Sequence, residues 1–86
     1  MGARIKRSFR GISERLVGRY LTNLGGERIA EDTIVGDDWT ATVSSESVAV
    51  GPSLTLTEVT IVFEGDEDTL EPLVERFAQK AMRAGG

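Results

Sequence analysis

The two residues whose type and placement could carry chemistry are the last two, Gly85 and Gly86. Glycine has no Cβ, so a Gly-Gly tail is slim enough to thread a narrow channel. Its carboxylate can be adenylated there, and the acyl-adenylate then accepts sulfur or an amine. Small carrier and modifier proteins present such a tail to activating enzymes. The same dipeptide is also a plain way to stop a helix, and Gly25-Gly26 reads as a stop of that kind earlier in the chain. Two residues reach only about 7 Å beyond a helix, and about 14 Å once Arg83 and Ala84 unwind too. The sequence therefore favours the helix stop and keeps Gly85 and Gly86 as the candidate activation site.

Few other chemistries are open. The 86 residues contain no cysteine and no histidine, which removes disulfides, thiolate chemistry, the commonest general base and the usual metal ligands. The acids from Glu64 to Asp68 match no calcium-loop spacing and suit a helix start better. No catalytic residue, cofactor or metal is expected, and the chain reads as a non-enzyme. No apolar run approaches the length of a membrane span, and the basic start lacks the apolar core of a secretion signal. A soluble cytoplasmic protein is expected.

The net charge is −4, unevenly distributed. Residues 1–26 carry Arg4, Lys6, Arg7, Arg10, Arg15 and Arg19 against Glu14 alone, whereas residues 27–75 carry thirteen acids against Arg28. The set Arg4, Lys6, Arg10, Arg15 and Arg19 is a candidate interaction surface. Nucleic acid is a weaker partner for it than protein, since the one aromatic residue nearby, Phe9, is placed inside. The simplest expectation is that the basic and acidic halves lie side by side.

The elements that position these residues follow from periodicity. Residues 3–10 alternate, with Ala3, Ile5 and Phe9 inward and Arg4, Lys6, Ser8 and Arg10 outward, which predicts a half-buried strand that Arg7 interrupts. Ser13 caps a helix running to about Leu24, stapled by Ile12 and Val17 and ended by Gly25-Gly26. Gly18 within it costs about 1 kcal/mol relative to alanine unless a strand packs close. Four strands are predicted next: residues 28–35, then 39–44, a turn at Ser44-Ser45-Glu46, 47–50, and 54–63. In the last, Leu54 and Leu56 are out of phase with Val59, Ile61 and Phe63, which predicts a β-bulge near Thr57-Glu58. A final helix opens at Asp68 or Thr69, holds Pro72 in its first turn, and buries Leu70, Leu73, Val74, Phe77, Ala78, Ala81 and Met82. The expected fold is one α+β domain over residues 1–86, β-α-β-β-β-β-α, an antiparallel sheet with both helices on one face.

Several ordered stretches carry a family resemblance. Arg7-x-Phe9, Leu16-Val17-x-Arg19-Tyr20-Leu21 with Gly25-Gly26, and Val50-Gly51 followed by Leu54-x-Leu56 come first. Glu64-Gly65, Glu75-Arg76-Phe77-Ala78 and Arg83-x-Gly85-Gly86 complete the series. Together they resemble the C-terminal domain of MoaD-related proteins, relatives of the small subunit of molybdopterin synthase. The resemblance implies a TATA-binding-protein-like fold and a setting in molybdopterin-cofactor synthesis or sulfur transfer. It implies a protein partner, either a β-grasp sulfur carrier or its activating enzyme. In those proteins the domain follows a β-grasp carrier part with its own Gly-Gly, and these 86 residues contain no such part. The expected role is an accessory module that docks a partner. A small modifier activated at Gly86 and a nucleic-acid binder are the alternatives.

Overall fold

The computed structural model describes residues 2–85, with side chains over residues 2–82. The order is β1 (Gly2–Arg10), α1 (Glu14–Asn23), β2 (Glu27–Ala30), β3 (Thr33–Gly36), β4 (Trp39–Ala49), β5 (Thr55–Asp66) and α2 (Glu67–Gly85). The five strands form one antiparallel sheet in the order β1-β5-β4-β3-β2. The first strand, after its crossover through α1, thus lies beside the last.

Alternation decides which face is buried. Trp39, Ala41 and Val43 of β4 and Val59, Ile61 and Phe63 of β5 point to one side and are buried. Val17 and Leu21 of α1 and Leu70, Leu73, Val74, Phe77 and Ala81 of α2 join them in one cluster, so both helices cover that face. Phe77 is its hub. Its ring meets Phe9, Phe63 and Tyr20 edge-on at centroid distances of 5.4, 5.9 and 6.2 Å, the arrangement aromatic quadrupoles favour. The other face stays open and carries Arg4, Lys6, Ser8 and Arg10 beside Glu58, Thr60, Val62 and Glu64.

The helix limits follow local chemistry. Ser13 caps α1, its hydroxyl accepting from the Leu16 N–H at 3.1 Å, and Gly25 ends it at φ 103°. Gly18 is explained by a side chain rather than a strand backbone. The Arg28 guanidinium lies over it, held by the Ala30 and Glu31 carbonyls at 3.4 and 2.7 Å. Helix α2 opens at Glu67, just before the predicted start, so Pro72 sits in its second turn. The proline has no N–H for the Asp68 carbonyl, which is tolerable because Asp68 and Pro72 lie on the exposed side of the helix, open to water.

The strand count agrees with expectation, but two of the boundaries do not. Residues 28–35 form a hairpin, β2 and β3, turning at Glu31-Asp32. The predicted turn at Ser44-Ser45-Glu46 is instead the middle of an unbroken β4. Two serines and a glutamate without glycine or proline do not force a turn, and β5 supplies a continuous partner. Nor is there a bulge at Thr57-Glu58. Register runs without shift from Trp39↔Gly65 to Ala49↔Thr55. Leu54 and Leu56 keep phase with the open face, where they are 57% and 37% exposed.

Candidate functional site

Three regions bear on function: the C-terminal helix, the cationic residues, and a ribbon that projects from the sheet. Helix α2 is seated by its apolar stripe, with Leu70, Leu73, Val74, Phe77 and Ala81 buried among the described side chains. Met82, expected inside, is instead 72% exposed. Helical backbone continues through Gly85. Gly85 is thus the last helical residue of this element rather than the first residue after it, and Gly86 lies outside the described residues.

The cationic set does not converge. Arg4, Lys6 and Arg10 stand on the open face of β1, whereas Arg15 and Arg19 lie on α1, on the other side of the sheet. On the open face, acids interleave. Arg4 lies opposite Glu64, and Arg10 lies opposite Glu58. Arg10 Nε meets Glu58 Oε2 at 2.9 Å, the one ion pair among the described residues. The expectation that basic and acidic halves lie side by side holds where β1 pairs with β5. Arg7, on the helix-covered side, stays exposed and donates to the Lys6 carbonyl at 3.0 Å. At the start of α2, the Asp66 carboxylate accepts from the Thr69 hydroxyl at 3.5 Å. Among the described residues, no three acidic side chains converge as metal ligands. Among the same residues, no helix is long and apolar enough to cross a membrane.

The ribbon went unread in the sequence. Strand β1 pairs with β5 only as far as Arg10↔Glu58, and β3 pairs with β4 only as far as Thr33↔Thr42. Beyond these points β4 and β5 continue alone as a two-stranded ribbon. Its helix-side positions, Ser45, Ser47, Ala49, Thr55 and Thr57, are small and exposed, so no core forms there. Its open-face positions carry Val48, Val50, Leu54 and Leu56, with Val48 directly opposite Leu56. The phase break in the sequence was the available signal. Continuing the Val59-Ile61-Phe63 alternation backwards places Leu56 and Leu54 on the open face.

Residues 5–86 match the family model described as archaeal MoaD-like protein. The chain belongs to the archaeal MoaD-like family. The match spans both helices and all five strands, apart from the first residues of β1. Membership associates this archaeal MoaD-like chain with molybdopterin and sulfur-carrier systems. No curated protein matches it.

Proposed function

We propose that this archaeal MoaD-like chain is a non-enzymatic accessory module that docks a protein partner in molybdopterin-cofactor or sulfur-carrier chemistry. The partner is a β-grasp sulfur carrier or the enzyme that activates one. The module works in the cytoplasm as a single domain, residues 1–86, and its β-α-β4-α order is taken as TATA-binding-protein-like. One observation carries the reading over its rival. The residues leading to Gly86 are helical through Gly85, whereas a carrier tail must be extended to enter an adenylation channel.

The rival is a modifier activated at Gly86. It is favoured by the Gly85-Gly86 pair itself and by Met82, which stands 72% exposed four residues before Gly86. Nucleic-acid binding through the basic strand has less support, because Glu58 and Glu64 face Arg10 and Arg4. Incubation with a sulfur carrier, its activating enzyme and ATP separates these readings. Docking predicts a complex by calorimetry or size exclusion and an unchanged intact mass for this chain. An adenylate, or the mass gain of an oxygen-to-sulfur exchange at Gly86, would establish the modifier instead. Salt-sensitive binding to an oligonucleotide would favour the third.

A further inference from the structure

The sheet has several free edges: those of the outer strands β1 and β2, and those of the ribbon along β4 and β5. That of β1 carries Arg4, Lys6, Arg7 and Arg10, the charged guard that keeps edge strands from pairing with one another. The β4 edge of the ribbon has no such guard. From Ser44 to Val50 it reads Ser-Ser-Glu-Ser-Val-Ala-Val, with no lysine, proline or bulge and one charge, Glu46. We infer that this edge pairs antiparallel with the same edge of a second copy of the chain.

The hydrogen-bond phase sets the geometry. The Val50 N–H donates to the Leu54 carbonyl at 2.9 Å, so the even-numbered residues of β4 turn their backbone groups toward β5. The odd-numbered ones turn outward, as the Val43 N–H does in donating to the Asp32 carbonyl at 2.7 Å. Ser45, Ser47 and Ala49 therefore present outward N–H and C=O groups on an edge that no strand pairs among the described residues. A two-fold axis allows few registers. Centring on Glu46 sets two carboxylates face to face, and centring on Ser47 sets each Glu46 against a valine at the middle of the joint. Centring on Val48 places Val48 opposite Val48 and lets Ser47 and Ala49 exchange backbone hydrogen bonds. It also moves Glu46 outward, to face Val50.

In that register one row crosses the joint on the open face: Leu56, Val48, Val48 of the second copy, Leu56 of the second copy. Cross-strand apolar pairs of this kind stabilise sheets, and the row covers the half-buried Val48 and extends to Leu56, which the single chain leaves exposed. The second copy's ribbon continues the line of β3 and fills the step where β3 ends. Copies meet edge to edge and close on themselves, so the assembly stops at two.

This pairing does not depend on the docking proposal. The test is sedimentation of the full chain over a concentration series, where the expected limit is twice the chain mass. Val48→Lys and Ser47→Pro each should return the monomer with unchanged circular dichroism. The proline removes only an outward N–H, so it tests the edge even where the lysine perturbs the ribbon. Val48→Cys should cross-link to itself under mild oxidant, and Val50→Cys should not. A monomer at every concentration, a dimer that survives both edge variants, growth beyond two copies, or cross-linking at position 50 in place of 48 would each overturn the inference. A monomer that still binds a carrier would overturn it and leave the docking proposal standing.

Discussion

Val48 and Leu56 lie directly opposite each other across the β4–β5 ribbon, on the sheet face that neither helix covers. The pair is apolar yet outside the core, because an unbroken register carries the open face all the way to the ribbon tip.

Replacing Leu54 and Leu56 by threonine should therefore change folding stability by no more than about 0.5 kcal/mol, the usual range for surface sites. A bulge that turned Leu56 inward would instead make the loss that of a core leucine, about 2–5 kcal/mol. Urea denaturation of the double variant, at concentrations where the chain is monomeric, distinguishes the two.

Phe77 is fully buried and touches three other rings. Phe77→Ala should cost about 3–5 kcal/mol, a large share of the roughly 5–15 kcal/mol available to a small domain. Phe77→Leu should cost less. Thermal melts should show the alanine variant partly unfolded at temperatures where the leucine variant is folded.

Gly36 and Gly65 give Trp39 its room. A Cβ at Gly36 would run into the indole, and one at Gly65 would strike the Asp38 carbonyl and approach the Trp39 Cα to 2.7 Å. Gly65 also has φ 151°, which side chains other than glycine resist. Each alanine substitution should destabilise by at least about 1–3 kcal/mol. Near-ultraviolet circular dichroism of the single tryptophan should report the displaced ring.

The Arg10–Glu58 pair is 2.9 Å apart, but the arginine is half exposed. A double-mutant cycle should give a coupling of about 0.2–1 kcal/mol, falling as salt is raised.

Removing Gly85 and Gly86 should leave the melting temperature nearly unchanged, since glycines bring no side chain to the buried stripe that runs from Leu70 to Ala81. On the docking proposal partner affinity is also unchanged. Its loss, measured by calorimetry, would return attention to the tail.

Both helices were legible in the sequence because their apolar residues recur on one stripe and their ends are marked, by Ser13 and Gly25 for α1 and by the acids near Asp66 for α2. The core strands β1 and β5 were legible from alternation, and β4 was legible as two strands wrongly parted at Ser44-Ser45-Glu46. The hairpin at Glu31-Asp32 was not, since Asp32 is the one turn former there and no glycine or proline accompanies it. Ser44, Ser45 and Glu46 misled because polar residues suit turns and exposed strands alike. The cationic set looked like one surface because sequence proximity does not record which side of the sheet a residue faces.

The sequence alone determined the α+β order, the buried face and the family resemblance, all of which rest on local periodicity and short motifs. The tertiary structure decided what depends on pairing across distance. The β1–β5 ladder set acids against the basic strand, α2 remained helical through Gly85, and the register between β4 and β5 left an apolar, unguarded ribbon in the open. Register is a relation between two strands, and neither strand contains it by itself.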